Sequence, residues 1–267
     1  MAKLRAQDAE RRSDSGLGPD YSEALARGLA VLAAFGAERA PLTLSDVARR
    51  VDLPRATVRR ALYTLTHLGF AECDGKLYRL TPKVLTLASS YLLSNQTATI
   101  LQPACDKLCA EFEDAVSCAV LVDEDVVMVA HAAPQRLVTV GAAGVGFRVK
   151  AFCSALGRVL LGGLSDAALD AYFDRLVPVP QTATTETDKA ALHRLVLEAR
   201  EAGYALVDQE AEAGFRSLAV PVRRYDGRIA AAMNVGMRVE RASPEEMLKL
   251  HLPRLRQVSE EIQSQLI

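Results

Sequence analysis

The chain has no run of about 18 consecutive apolar residues, the length at which a helix spans a bilayer, although half of its 267 residues are hydrophobic. Its first stretch, MAKLRAQDAERRSDSGLGPD, is polar and of mixed charge and lacks the apolar centre of an export signal. These two absences predict a cytoplasmic protein with no membrane partner, beginning in a disordered tail over residues 1–20. Cysteine is scarce and odd in number, at five, which predicts reduced thiols rather than a disulfide framework. No internal repeat is visible. Net charge is almost absent too, at −1, which argues against a protein that coats nucleic acid.

The charge cancels only in the sum. Residues 1–95 carry 14 Lys and Arg against 10 Asp and Glu, whereas residues 96–267 carry 18 against 23. A basic segment joined to an acidic one, in a chain long enough for two domains, fits a regulator better than a general packer of DNA.

The basic part contains TLSDVARRVDLPRATVRRALYTLTHLGFAECDGKLYRL, residues 43–80. Leu44, Val47, Ala48 and Val51 recur at helical spacing and run into a break at Asp52-Leu53-Pro54. Pro54, with its pre-set φ and no amide hydrogen, suits the first turn of a second helix. In that helix Val58, Ala61, Leu62 and Leu65 form the apolar stripe, Arg55, Thr57, Arg59 and Arg60 lie off it, and Gly69 ends it. Two short strands flank Asp74-Gly75, a two-residue hairpin signal, with Lys76, Tyr78 and Arg79 on the returning arm. Two helices and a basic hairpin predict a winged helix-turn-helix over residues 21–81 whose partner is double-stranded DNA. Five arginines (Arg49, Arg50, Arg55, Arg59, Arg60) fall within twelve residues against one acid, Asp52, which weighs against a merely solvated helix face. Arg55, Ala56, Thr57, Arg59 and Arg60 are expected to face the major groove, and Ser45, Lys76 and Arg79 to hold phosphates. Tyr63 and His67 are expected to pack or touch phosphate.

The helix before this motif, Tyr21 to Phe35, is apolar on two sides, so a second subunit is expected against it. A linker helix is expected over residues 82–96, which include KVLTLASSYLLSN. Beyond it the spacing predicts a helix over Ile100–Phe112 and strands over Val116–Val122, Val126–Ala132 and Leu137–Val140. A Gly-rich loop, Gly141–Gly146, then leads to Phe147–Phe152 and helices over Ser154–Leu161 and Lys189–Ala202. Strands over Ser217–Val222 and Ile229–Gly236 and a helix over Pro244–Gln265 complete an α+β, sensor-like domain at 97–267.

These residues resemble the IclR family of bacterial transcription regulators, from about Tyr21 to the end. The reading head carries SEALARGLAVLAAF and TLSDVARRVDLPRATVRRALYTL. The second half carries GYALVDQEAEAGFRSLAVPV followed by GRIAAAMNVG. Gly157-Arg158-Val159-Leu160-Leu161 and LVDQE…RSLAVPVR are similar to the branch that controls protocatechuate and 4-hydroxybenzoate breakdown through the β-ketoadipate pathway. The resemblance implies a GAF-like effector domain binding a small carboxylated molecule, no cofactor, and dimers or tetramers. It places an effector pocket at Val138, Gly141, Arg148, Val149, Ala155, Leu156, Phe215, Ser217, Asn234 and Gly236. A helix N-terminus at Ser154 suits a carboxylate, and Ser217 and Asn234 are polar on otherwise apolar strands.

The run Gly146-Phe147-Arg148-Val149-Lys150-Ala151-Phe152 departs from the branch, with Lys150 where Pro is usual, Phe152 replacing a Tyr, and His131 where an Arg is common. The extra cation favours an effector with one or two acid groups. Other roles stay open: Arg148 on a surface acid, His131 as a hydrogen-bonded strand-end residue, Arg216 in a structural ion pair. Cys105 and Cys109 share a helix face, but with no second pair the expectation is buried thiols and no metal. The rival function is an enzyme with Cys153 as nucleophile and His131 as base, the head serving only assembly; no third orienting group is evident.

Overall fold

The computed structural model of the chain describes Gly18 and residues 20–36, 40–134 and 144–266. The expected strand over 137–140, the first part of the loop 141–146 and nearly all of the tail lie outside the described residues. The chain forms two compact units that divide between Ser90 and Tyr91.

The first unit opens with α1 (Glu23–Ala33), capped by the Ser22 hydroxyl and buried through Val31. Strand β1 (Leu42–Thr43) leads into α2 (Leu44–Arg50) through a capping box. The Thr43 hydroxyl accepts from the Asp46 amide at 3.2 Å, and the Asp46 carboxylate accepts from the Thr43 amide at 3.0 Å. Val47, Val58, Leu62, Val31 and Leu42 close a small core between α1, α2 and α3 (Arg55–His67). Pro54 stands one place earlier than expected, as the N-cap of α3 with extended ψ. Gly69 at φ +76 lets the Phe70 amide return to the Leu65 carbonyl at 2.9 Å, the Schellman stop of a helix.

The wing is β2 (Ala71–Asp74) and β3 (Leu77–Leu80), with β1 on the far edge of β3. Asp74 pairs with Leu77, so the turn residues are Gly75 and Lys76, one later than the Asp-Gly signal suggested. Gly75, at φ +64, takes the left-handed position that a side chain resists. After a short 3-10 turn comes α4 (Leu85–Ser94).

In the second unit α5 (Gln96–Phe112) begins four residues earlier than expected, because the Asn95 side chain caps it by accepting from the Thr97 amide at 3.0 Å. An antiparallel sheet follows, ordered β6-β5-β4-β9-β8-β7. Its strands are β4 (Ala115–Val122), β5 (Asp125–Ala132), β6 (Arg148–Lys150), β7 (Ala205–Asp208), β8 (Phe215–Arg223) and β9 (Ile229–Arg238). One face packs on α6 (Ala155–Gly162), α7 (Asp166–Arg175) and α8 (Lys189–Ala202) through Ala119, Ala219 and Ala232. The other packs on α5, α9 (Pro244–Leu250) and α10 (Leu252–Gln263) through Cys118, Leu218, Met233 and Val235. The expected C-terminal helix is thus two, broken at His251, since Pro253 cannot donate to the carbonyl one turn back. Helix α7 and the edge strand β7 were not expected. No described helix is long and apolar enough to cross a membrane.

Candidate functional sites

Burial of Val58 and Leu62 turns the opposite arc of α3 outward, so Arg55, Ala56, Arg59 and Arg60 are exposed and Thr57 half-buried. Among the described residues no carboxylate pairs with Arg55, Arg59 or Arg60. Two other arginines of the cluster have structural duties. Arg49 pairs with Asp46 at 3.0 Å, and Arg50 donates to the Ala34 carbonyl at 3.0 Å. Lys76 projects from the wing turn, and Ser45 is half-buried in the first turn of α2. Arg79 reaches across the hairpin to Glu72, both side chains more than half exposed. An exposed pair is worth little, so a phosphate competes readily for that guanidinium. Tyr63, 73% exposed, stacks on His67 at 6.4 Å between ring centroids.

The second site is a polar row on the α6 face of the sheet. Ser117 is the cross-strand partner of both His131 and Asn234, and Ser217 is the partner of Gly236, two residues on from Asn234. Side chains at these register positions share one face. The Ser117 hydroxyl and His131 Nδ1 lie 2.9 Å apart, and Asn234 Nδ2 donates to the Ser217 hydroxyl at 2.7 Å. Asn234 is only 7% exposed, yet its Oδ1 has no hydrogen-bond partner among the described residues. Such an orphaned acceptor costs about 1–3 kcal/mol. Burial lowers the His131 pKa, so the imidazole is neutral near pH 7. The Phe215 ring lies over Gly236: a Cβ built there would stand 2.5 Å from it. Ala155 and Leu156 open α6, which packs across β4, β8 and β9, and their amides precede the first helical hydrogen bond, from Arg158 to the Ser154 carbonyl. Val149 packs into the same core from β6. Val138 and Gly141 lie outside the described residues.

On the same side of the sheet, on α6, Arg158 makes a buried ion pair. Arg158, 4% exposed, donates to the Glu210 carboxylate at 2.7 Å, and that carboxylate also accepts from the Glu186 amide at 3.2 Å. The hydroxyls of Thr182, Thr184 and Thr185 hold the Gln209 and Glu210 carbonyls at 2.7–2.8 Å. Burial, with Glu210 adding to it, pushes the Cys153 thiol up to about 11. A thiol so protonated at neutral pH is a poor nucleophile, and His131 bonds to Ser117 instead.

The cations expected near the effector are engaged elsewhere. Arg148 Nη2 lies 2.8 Å from Asp125 Oδ2 and Lys150 Nζ 3.0 Å from Asp125 Oδ1. Both alternate with Val149 along β6 and so point away from the face that Val149 buries. Of the two roles open to Arg148, the geometry therefore shows the surface ion pair, and Lys150 supplies no cation to the row. Arg216 makes the expected structural pair, with Asp208 at 2.9 Å and a bond to the Ala242 carbonyl. Cys105 lies buried with its sulfur 3.5 Å from that of Cys118. A groove of about 700 Å³ opens between α5 and the end of β5, lined by Asp106, Cys109, Glu113 and His131–Pro134. Its two carboxylates give it the wrong sign for an anionic ligand.

Sequence reasoning missed Ser117, Arg158 and Glu210. Ser117 carried the signal that exposed Ser217 and Asn234, a polar residue inside an apolar strand. Arg158 carried a stronger one, a charge among Leu156, Val159 and Leu160.

Known proteins fit this arrangement. Residues 89–264 match the family described as bacterial transcriptional regulator IclR C-terminal, and residues 24–75 match the IclR helix-turn-helix domain. The Pca regulon regulatory protein of Pseudomonas putida is 39% identical over 93% of this chain and 85% of its own length. The p-hydroxybenzoate hydroxylase transcriptional activator of Acinetobacter baylyi is 32% identical over 92% of each. A crystal structure of an IclR homolog from Microbacterium hydrocarbonoxydans, complexed with 4-hydroxybenzoate, superposes with a TM-score of 0.72, covering 90% of this chain and 98% of that one at 25% identity.

Proposed function

The chain belongs to the IclR family of bacterial transcriptional regulators, and from that premise we propose that it controls an aromatic-acid catabolic operon by binding a hydroxybenzoate-like effector. It is a ligand-responsive, DNA-binding regulator and not an enzyme. The observation that carries the effector reading is the polar row His131–Ser117–Asn234–Ser217, placed in an apolar core with one acceptor uncompensated. A mostly apolar site with a few convergent polar groups suits a small aromatic molecule.

Around that row, Val149, Ala155, Leu156, Phe215 and Gly236 complete the effector site, with the first amides of α6 facing the carboxylate. Arg55, Ala56, Thr57, Arg59 and Arg60 read the major groove, while Ser45, Lys76 and Arg79 fix register on phosphates. Residues 21–81 act as the reading head, 82–96 as the linker and 97–267 as the sensor. The protein works in the cytoplasm as a homo-oligomer. Leu25 and Leu29 on α1, 63% and 55% exposed, and Leu93 on α4, 86% exposed, support that assembly, since solvent is a poor place for leucines clustered on helix faces.

Adding 4-hydroxybenzoate to the full chain is expected to raise its melting temperature, by the equivalent of about 2.7 kcal/mol at a hundred times the dissociation constant. An unchanged melting temperature at millimolar 4-hydroxybenzoate and 3-hydroxybenzoate would remove this effector class.

A further inference from the structure

Asn234 has two ends with opposite chemistry. Its Nδ2 donates to the Ser217 hydroxyl at 2.7 Å, and Oδ1 is the other end. The neighbouring Ser117 hydroxyl is engaged with His131 Nδ1 at 2.9 Å. Of the row's groups, Asn234 Oδ1 is the buried one that has no partner among the described residues. It is an acceptor, with no proton of its own to give.

We infer that Asn234 Oδ1 accepts a hydrogen bond from a ring hydroxyl of the effector and so sets specificity for hydroxylated over plain aromatic acids. This rests on the effector reading above. The carboxylate end of such a molecule is excluded from Asn234, because it would set acceptor against acceptor and the row offers no cation. The hydroxyl end fits: an O–H supplies the missing donor, and the aromatic ring then lies beside Phe215, whose own ring covers Gly236 on the same face. A site that leaves a buried polar group unpaired rejects the analogue lacking the matching group more strongly than an apolar pocket rejects a size change.

The test is calorimetric titration of the full chain with 4-hydroxybenzoate, 4-aminobenzoate, 4-fluorobenzoate, 4-methoxybenzoate and benzoate. The two donors, hydroxyl and amine, are expected to bind at least about tenfold more tightly than the other three. In Asn234→Ala, with folding checked by its melting curve, the five are expected to fall within about threefold of one another, a difference too small for a hydrogen bond to a buried group. The wild-type series decides the matter even if the variant fails to fold. Equal binding of all five rings to the wild-type chain overturns this inference and leaves the effector reading standing. Tighter binding of 4-methoxybenzoate than of 4-hydroxybenzoate overturns it as well, by showing a donor at Asn234. Absence of binding by every ring defeats the effector reading first and this inference with it.

Discussion

Replacing Arg59 or Arg60 with alanine is expected to weaken binding to a duplex that the protein itself selects from a random pool by about 1–3 kcal/mol each, at fixed salt. The melting temperature is expected to stay as it is. Both results follow from the same geometry: Val58 and Leu62 anchor α3 from the other side, and neither guanidinium holds a carboxylate among the described residues. Removing a side chain that supports nothing internally leaves the fold alone. Removing a bidentate contact to a base edge costs discrimination as well as affinity. Arg49→Ala and Lys76→Ala provide the contrast. Arg49 sits in the last turn of α2 rather than on α3 and should change DNA affinity little, whereas a phosphate contact by Lys76 should weaken all sequences alike and flatten the salt dependence by about one counterion. Anisotropy titration of the four variants separates these outcomes. Unchanged affinity for both Arg59→Ala and Arg60→Ala would mean that another face of the head meets the duplex.

The largest effect on folding is expected at Gly157. A Cβ there would stand 2.0 Å from the Ala151 carbonyl oxygen and 2.3 Å from its Cα. These are backbone atoms, so no rotamer change relieves the clash. Gly157→Ala should therefore destabilise the second unit by about 3 kcal/mol, the upper part of the usual range for overpacking, and lift the first turn of α6 away from the polar row. The same substitution at Gly28 on α1 meets nothing within 4 Å and should be stabilising by about 0.5–1 kcal/mol through helix propensity. Calorimetric melting of the two variants gives opposite signs if the packing is as described. A Gly157→Ala protein melting within a degree of the parent would show that α6 is not pressed on the 151 loop.

The reading head was legible because its signals are local. Helical spacing of Val47, Val58 and Leu62 and the stop at Gly69 each act within a turn or two; Pro54 and the hairpin each differ by one residue, the hairpin because Gly75 takes the position with positive φ. The C-terminal break at His251 was written locally too, in Pro253, but the single helix expected there ran through it. Strand β7 and helix α7 were not read, since a four-residue edge strand and a ten-residue helix with three buried side chains give little periodicity. At the proposed effector site, Ser217 and Asn234 stood out against apolar neighbours. What joined them did not: Ser117 reaches Asn234 by pairing of β4 with β9 across more than a hundred residues, and Arg158 meets Glu210 52 residues away. The cation Arg148 resembles its family counterpart in sequence, but Asp125, 23 residues earlier, claims it.

A hydroxybenzoate held on the polar row and a duplex held by α3 are expected to act on one equilibrium. Titrating 4-hydroxybenzoate into the full chain, with and without saturating selected duplex, tests it most directly. The dissociation constant should change by the factor, about 5–150-fold, by which the effector in turn changes duplex affinity, because such coupling is reciprocal. Identical effector affinity in both titrations, with both ligands bound, would contradict it.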